Sequence, residues 1–467
     1  MIRKTYLFHL IQSLNRTELR YFKLLAKTVR KNSNYLKLFQ EIRTQDHYDE
    51  TLIKVNFKKE RFIQHFHLTK RYLEQLVMKA LRNYHGQRSQ SLRLSNQIQN
   101  IELFYRRGLY AHAQLEVNRA LKLARQYESD SRIHDLLAWQ RKLIQVEHPS
   151  DFEGLRDIVK EQREVISRLN QENELWHQLL GIAPEDPPEQ PTPSLQLRIL
   201  KANLLYLSRV RTGAPESGEK AMVHLLTELE HHPHRLQEEP GLWAATANNL
   251  LGSLIFRKNF AEAEMLIEKA HQFYQEIDRH DEPMLKLILR TFNMELEIYR
   301  DTQNFDQADR AIARILKFLE GDQAAAVPVS YLLSFWFQFA SLYFMRSQLD
   351  QALHWINQIL NYNFGDTRID LQKHSRWLNL MIHLELKNYF VLRYYVDSTR
   401  RFIDKWEKIT PYETTLLQFF SRISHLPEGE FKTAFRHLQE SLFTNTEIPK
   451  MELGYVNFQA WINNKLQ

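Results

Sequence analysis

"KNFAEAEMLIEKA" (residues 258–270) combines an aromatic residue with two small residues at fixed distances. Phe260 is followed by Ala263 three residues later, and by Ala270 seven residues after that. Residues at such distances lie on one face of a helix, where small side chains allow a second helix to approach closely. Both small residues recur after Tyr110, and the first of them recurs after Phe305, Leu349 and Phe431. In weaker copies that begin at Phe152 and Tyr389, Leu takes the place of the first Ala.

Neighbouring copies of this pattern are mostly 40 to 45 residues apart, which indicates a repeated unit. One interval, from Phe152 to Phe260, is 108 residues long. It contains a proline-rich stretch, and we expect one degenerate copy near Ala221 within it. Gly (12) and Pro (14) are scarce among the 467 residues, whereas Leu, Gln, Glu, Lys and Arg, which favour helices, are frequent. The sequence therefore predicts an all-α protein.

This pattern resembles the tetratricopeptide repeat, a helix–turn–helix unit in which small residues let two helices pack and an aromatic residue begins the second helix. Five further positions agree with that family in places: Gly252, Tyr299, Trp336, Tyr343 and Trp377. The repeat is longer than the family's 34 residues, most copies lack the Gly, and the Pro that closes the second helix is absent from them. The resemblance spans roughly residues 95–440 and implies an α-solenoid of about seven or eight helical hairpins.

In repeats of this family, the first helices line a groove that holds an extended peptide or a partner helix. The resemblance places Asn249 and Asn293 at the same position of neighbouring units, where an amide can donate to and accept from a peptide main chain. The groove positions carried over from the family are Asn249, Arg257, Arg290, Asn293, Gln338 and His374. A polar surface of the solenoid that binds nothing is an equal alternative for these residues.

The stretch "GIAPEDPPEQPTPS" (181–194) contains five prolines, so it cannot be helix interior and is expected to be an extended connector. It divides the sequence into a basic helical N-terminal domain (1–90), a first repeat segment (91–180), the connector, and a second repeat segment with C-terminal capping helices (195–467). A surface loop that interrupts one continuous solenoid is the alternative.

The positive charge of the protein is concentrated near the N-terminus. Residues 1–90 contain 19 Lys and Arg against 7 Asp and Glu, a net charge of +12, while the other residues contain 44 against 49, a net charge of −5. Such asymmetry is typical of a surface for nucleic acid or another anionic partner. The candidate nucleic-acid contacts are Lys54, Lys58, Arg61, Lys70, Arg71, Gln75, Lys79 and Arg82.

Residues 61–85 have the pattern of a helix-turn-helix DNA-binding motif, with Thr69 as the cap of its second helix. Helical spacing predicts that four basic residues form one stripe on a single helix: Lys54, Lys58, Arg61 and His65. The turn lacks the Gly that such motifs usually contain. An α-helical cap that only covers the first repeat is therefore the alternative.

We recognise no catalytic, metal-binding or cofactor-binding motif, so we expect neither enzyme activity nor a metal or cofactor. The sequence has no Cys, no long apolar run and no signal-peptide cleavage pattern, which predicts a soluble, cytoplasmic protein without a membrane partner. The leading hypothesis is a non-catalytic scaffold or adaptor that binds a protein or peptide in the repeat groove. The alternative is a nucleic-acid-binding regulator that uses the basic N-terminal helices, with the repeats as sensor. The oligomeric state stays open.

Overall fold

A computed structural model describes residues 2–29, 34–86, 88–181, 194–212, 215–277, 281–321, 326–443 and 456–467. In these ranges the chain forms 23 α-helices, a few short 3-10 segments and no β-strand, so the all-α prediction is confirmed. Of the proline-rich connector, residues 182–193 lie outside the described residues. No helix in the described ranges is both long enough and apolar enough to cross a membrane.

The first of two compact units, Met1–Glu239, starts with a group of helices that we call the N-terminal bundle. Its helices are α1 (Ile2–Gln12), α2 (Arg16–Val29), α3 (Asn34–Arg43), α4 (Glu50–Asn56) and α5 (Phe66–His85). They do not pack in simple chain order, because α1 contacts α3 and α5, while α2 contacts α5. Apolar side chains fill the centre, including the stacked rings of Phe22 and Phe39, whose centroids lie 4.4 Å apart. The bundle thus has its own core.

The start of α2 follows from two side chains. Asn15 and Glu18 have the spacing of a capping box, which predicts a helix that begins near Arg16, and α2 does begin there. The Glu18 N–H donates to Asn15 Oδ1, and the Asn15 N–H donates to Glu18 Oε2, each over 2.9 Å. These reciprocal bonds satisfy two backbone donors at the beginning of the helix.

The rest of this unit consists of α6 (Gln90–Arg106), α7 (Tyr110–Gln126), α8 (Asp130–Glu147), α9 (Phe152–Leu180), α10 (Leu195–Arg211), α11 (Pro215–Glu230) and α12 (Pro233–Glu238). Each helix contacts the next along the chain. The helices on either side of the proline-rich stretch, α9 and α10, pack together through Leu175, Leu197, Leu200 and Leu204. The domain boundaries predicted near residue 90 and at 181–194 stay predictions.

Glu238, the last residue of α12, caps the start of α6. Its carboxylate accepts a hydrogen bond from Ser89 Oγ at 2.8 Å and one from the Gln90 backbone N–H at 3.0 Å. A carboxylate at this place satisfies open N–H groups and interacts favourably with the helix dipole. Because Ser89 and Glu238 are 149 positions apart, this contact joins the two ends of the α6–α12 array.

The second unit, Pro240–Gln467, is an array of helical hairpins. Its helices are α13 (Gly241–Phe256), α14 (Phe260–Glu276), α15 (Glu282–Asp301), α16 (Phe305–Leu319), α17 (Val329–Met345), α18 (Leu349–Asn361), α19 (Ile369–Glu385), α20 (Tyr389–Trp406), α21 (Pro411–Ile423), α22 (Phe431–Phe443) and α23 (Phe458–Leu466). The first helices α13, α15, α17 and α19 each contact their own second helix, and each of them contacts the next in this series. They form a continuous layer, which we call the inner layer. This is the α-solenoid arrangement that the sequence predicts.

Four hairpin turns in this unit repeat one backbone motif. The residue two positions before each second helix has a positive φ: Lys258 (58°), Gln303 (54°), Ser347 (57°) and Lys387 (60°). The N–H of the following residue donates to a carbonyl five residues earlier, as from Asn259 to Leu254 over 2.9 Å. This Schellman motif ends one helix and redirects the chain into the next. The second helices then begin at the positions predicted from the repeat, Phe260, Phe305, Leu349 and Tyr389.

The small residues of the repeat do what their spacing predicts. Ala263 and Ala270 in α14, Ala308 in α16 and Ala352 in α18 are all completely buried. At these positions a larger side chain would push the helix away from its neighbours, because protein interiors are packed without spare volume. The pattern that opens each copy therefore marks a helix–helix contact.

Candidate functional site

Four of the residues proposed to contact nucleic acid lie together on α5. Arg71, Gln75, Lys79 and Arg82 follow one another at helical spacing, and all are exposed. Leu73, Leu76, Val77 and Ala80, on the opposite face of the helix, are buried in the bundle core. No ion pair involves Arg71, Lys79 or Arg82 within the described residues, so their charge faces solvent. We call these four residues the α5 basic stripe.

Lys54 and Lys70 are instead held by Glu50. The Glu50 carboxylate lies 2.8 Å from Lys54 Nζ and 2.6 Å from Lys70 Nζ, which also donates to Tyr48 Oη over 3.3 Å. Partial burial works to raise the pKa of Glu50, but the hydrogen bonds from both lysines outweigh it and lower the pKa to about 2. The carboxylate therefore stays ionised and offsets part of the charge of these two lysines.

The predicted stripe along a single helix is wrong. α4 ends at Asn56, and a 3-10 helix occupies Arg61–His65, so Lys54, Lys58 and Arg61 do not share one helix. Lys58 and Arg61 are exposed in the segment before α5. The reason is local packing. The ring of Phe57 lies 5.3 Å from that of Phe62, and residues five apart on one α-helix would point in different directions.

The predicted cap of the second helix is also wrong. α5 begins at Phe66, so Thr69 lies inside the helix rather than at its start. Its hydroxyl donates to the His65 carbonyl over 3.2 Å, which is a bond to the preceding turn of the helix. Phe66 is buried in the bundle core, and this burial places the helix start four residues before Lys70, where a cap at Thr69 predicts it.

A second group of cations on α2 was not predicted from the sequence. Arg20, Lys23 and Lys27 are exposed at helical spacing, with Leu24 exposed among them. No ion pair involves these three cations in the part of the chain that the structure describes. The sequence did contain a signal for this group. Phe22 and Ala26 are buried at helical spacing, and the same apolar spacing predicted which face of α5 is exposed. We call Arg20, Lys23 and Lys27 the α2 basic stripe.

Two of the predicted groove residues tie first helices to each other. Asn293 of α15 accepts through Oδ1 from Ser334 Oγ of α17 at 2.8 Å, and its backbone carbonyl accepts from Gln338 Nε2 at 3.2 Å. Arg300 Nη1 of α15 donates to Gln338 Oε1 over 3.3 Å. The structure thus brings Asn293 and Gln338 together, where they link neighbouring hairpins of the inner layer.

Helix register and burial differ on the predicted equivalence of Asn249 with Asn293. Counted back from the first residue of the second helix, Asn248 and Asn293 each lie 12 positions before it, at Phe260 and Phe305, whereas Asn249 lies 11 before. Asn248 is fully buried and donates through Nδ2 to the Leu287 carbonyl over 3.0 Å. By burial, Asn249 and not Asn248 corresponds to the half-buried Asn293, so the equivalence of Asn249 with Asn293 stays a prediction.

The other predicted groove residues differ in exposure. Asn249 is half-buried on α13, while Arg257 at the end of α13 and Arg290 on α15 are exposed. His374 on α19 is buried, with 3% of its surface exposed. Burial, aided by the charge of Lys373, lowers the pKa of His374 to about 4. A neutral, buried imidazole at this position belongs to the core of the hairpin.

A buried carboxylate that sequence reasoning missed lies between three helices of the second unit. Glu295 of α15 is completely buried and lies 2.9 Å from His271 Nε2 of α14 and 2.5 Å from Arg314 Nη2 of α16. These two partners offset the cost of burying its charge. Only the packing of the hairpins brings the three residues together, so their sequence positions gave no signal.

Comparison with models of known protein families gave no match, and none of the curated proteins matched the chain either. The proposals on function therefore rest on the fold and on the surfaces described above.

Proposed function

We propose that the protein is a scaffold or adaptor that binds a protein or peptide along the inner layer of the second unit, and that its hairpins are divergent tetratricopeptide repeats. The supporting observation is a row of accessible positions on each of two adjacent first helices. On α13 the row is Leu242, Ala245, Asn249, Gly252 and Phe256. On α15 it is Lys286, Arg290, Asn293, Glu297 and Arg300.

The chemistry of these rows supports a partner of one particular kind. The row on α13 is apolar apart from Asn249, and it ends at Phe256, which is 84% exposed. Covering that ring would remove a large apolar surface from water. Arg290, exposed on the neighbouring helix, can pair with a carboxylate, and the Asn249 amide can bond a main chain. A peptide segment with an apolar residue beside an acidic residue fits both rows.

The test is selection of peptides from a displayed random library on the full chain, followed by affinity measurement with the best binder. Arg290→Glu should weaken binding at least about tenfold, because it replaces an ion pair by repulsion. Arg310→Glu is the matched control, since Arg310 is exposed on α16, a second helix of the same unit. Selected peptides that contain no acidic residue, or that bind both variants equally, would contradict the proposal.

The α5 basic stripe favours a second candidate function, a regulator that binds nucleic acid through the N-terminal bundle while the repeats sense a partner. Arg71, Lys79 and Arg82 have the exposure needed to neutralise phosphates, and Gln75 lies among them. Binding by phosphate neutralisation weakens steeply as salt rises.

The test is fluorescence anisotropy of the full chain with labelled RNA and DNA at several salt concentrations. In the double variant Arg71→Glu with Lys79→Glu, binding should fall and the slope of log affinity against log salt should shrink by about 1.4 to 1.8. The control is Arg310→Glu with Lys317→Glu, two exposed cations of α16. Equal losses in both double variants would show only a general effect of net charge.

A further inference from the structure

A cleft in the first unit lies where the C-terminal end of α5 meets α2 and α6. It has a volume of about 750 Å³ and is lined by Tyr21, Arg82, Asn83, Gly86, Asn96 and Gln99. Clefts of this size accommodate a small organic ligand or one unit of a polymer. We call it the N-terminal cleft.

The lining has the groups that recognise a nucleobase. Asn83, Asn96 and Gln99 each carry an amide with a donor and an acceptor side by side, which matches the adjacent donors and acceptors on base edges. The ring of Tyr21 provides an aromatic face, and the ring of Tyr84, 5.5 Å away between centroids, supports it from α5. Aromatic faces of this kind stack bases of single strands.

The shape of the cleft depends on Gly86. A Cβ atom at this position would lie 2.6 Å from the Arg82 carbonyl oxygen and 3.0 Å from Asn96 Nδ2. The absence of a side chain therefore allows the Asn96 amide to approach the end of α5. A small residue here keeps α6 and α5 close while their polar side chains face the opening.

The charge around the cleft selects an anionic ligand. Arg82 belongs both to the lining and to the α5 basic stripe, and the lining contains no carboxylate. Glu18, on α2 near Tyr21, lies 2.7 Å from His85 Nε2 and so already has a partner. The α2 basic stripe adds further cations on the helix that supplies Tyr21. Phosphates that follow a base in the cleft would meet Arg82 first.

We propose that the N-terminal cleft binds one unpaired base of a single-stranded nucleic acid, with Arg82 and the rest of the α5 basic stripe on the flanking phosphates. This inference rests on the second candidate function and specifies its ligand. Bases within a duplex are stacked, and extracting one costs free energy that an unpaired nucleotide does not require. In the segment predicted to be a helix-turn-helix, a 3-10 helix at Arg61–His65 and not an α-helix directly precedes α5.

The experiment measures anisotropy of the full chain with single-stranded homopolymers, a duplex of equal length and free mononucleotides as competitors. Single strands should bind at least tenfold more tightly than the duplex. Asn96→Ala and Gln99→Ala, both at exposed positions of α6, should each weaken single-strand binding about fivefold without changing the salt slope. Asn118→Ala, an exposed amide on α7, is the matched control.

The outcomes separate this inference from the function on which it rests. If the stripe variants abolish binding but Asn96→Ala and Gln99→Ala bind as the unmodified chain does, the nucleic-acid function stands and the base site is wrong. Equal affinity for duplex and single strand overturns it as well. Mononucleotides that compete as strongly as the strands would assign the cleft to free nucleotides instead. Absence of any nucleic-acid binding overturns both proposals.

Discussion

The cations of the α2 and α5 basic stripes in the N-terminal bundle differ from those around Glu295 and Asp309 in the second unit, because only the latter pair with a carboxylate in the part of the chain that the structure describes. In the second unit, Arg314 and His271 meet the buried Glu295, and Arg346 pairs with Asp309 of the preceding hairpin at 2.6 Å. In the bundle, the cations of the α2 and α5 basic stripes have no carboxylate partner within the described residues. Unpaired like charges repel one another and contribute nothing to the fold. We infer that the ion pairs of Glu295 and Asp309 link helices of the second unit, whereas the cations of the two basic stripes are available to a ligand.

The sharpest test of this contrast compares Glu295→Ala with Arg71→Ala. Removal of Glu295 leaves His271 and Arg314 without their carboxylate and opens a cavity, so we expect a loss of about 4 kcal/mol in the free energy that protects α14–α16 from opening. Arg71→Ala should change stability by less than about 0.5 kcal/mol, because an exposed, unpaired side chain contributes little. Hydrogen exchange of the full chain measures both, and similar losses would refute the contrast.

Acid should affect the second unit before it affects the bundle. Because the pKa of the buried His374 is lowered to about 4, the unfolded chain binds the proton more readily between about pH 6.5 and 4. Stability of α19 should therefore fall across this window as pH decreases, by about 3 kcal/mol in total. In the bundle, the lowered pKa of Glu50 means that its contribution is lost only below about pH 4.5.

The measurement is hydrogen exchange of α19 and α5 peptides as a function of pH, corrected for the intrinsic exchange rate. His374→Gln should remove most of the loss in α19 above pH 4. Lys373, Asp370 and Glu413 are the charged groups that act on this imidazole, and they stay in place in the variant. A loss that persists in His374→Gln would assign the acid sensitivity to another group.

Within the inner layer, the adjacent asparagines should differ in effect. Asn248→Ala removes bonds to the Leu287 carbonyl and to Thr291 Oγ1, which donates to Asn248 Oδ1 over 2.7 Å, so we expect a cost of about 2 kcal/mol. Asn249→Ala should cost less than about 1 kcal/mol, since the side chain is half-buried at the accessible row. Urea unfolding followed by circular dichroism measures both. A larger loss of stability for Asn249→Ala than for Asn248→Ala would show that Asn249 is the asparagine that stabilises the packing of α13 on α15.

The smallest expected effects come from the hairpin turns. Gln303 has a φ of 54°, which a non-glycine residue adopts only at a cost, so Gln303→Gly should raise stability by up to about 1 kcal/mol. In the first unit, the turn before α7 has Gly108 at a φ of 72° with nothing within 4 Å of an added Cβ. Gly108→Ala should therefore lose about 1 kcal/mol through backbone strain alone. Thermal unfolding measures both variants, and we expect a higher unfolding temperature for Gln303→Gly and a lower one for Gly108→Ala.

The sequence predicts the architecture well because helix packing leaves a local trace. The spacing of Phe260, Ala263 and Ala270 along the sequence indicates a buried helix face. Copies of this spacing can be recognised in the sequence without knowledge of the fold. In the same way, the apolar residues of α5 recur at helical spacing, which predicts that the opposite face is exposed. That face contains Arg71, Gln75, Lys79 and Arg82. The positive-φ turns could not be predicted, since Lys, Gln and Ser occupy positions where Gly would have been the signal.

The candidate sites depend on contacts between hairpins, and these are not local. Asn293 and Gln338 face each other because α15 and α17 pack in one particular register, which a single sequence does not report to within one residue. The N-terminal cleft combines Tyr21 with Gln99 from helices far apart in the chain. His374 was predicted to line the groove because histidine is polar, but its side chain is buried. That burial depends on all the helices around α19 and is not visible in the sequence.

The contact of Glu238 with the start of α6 also has a consequence for synthesis on the ribosome. The carboxylate that caps α6 is made 149 residues after Ser89. At about 5 to 20 residues per second, the N–H groups at the start of α6 stay without this cap for roughly 7 to 30 s after they have been translated. During this time α6 can fray at its first turn, so the nascent array is completed only when α12 arrives.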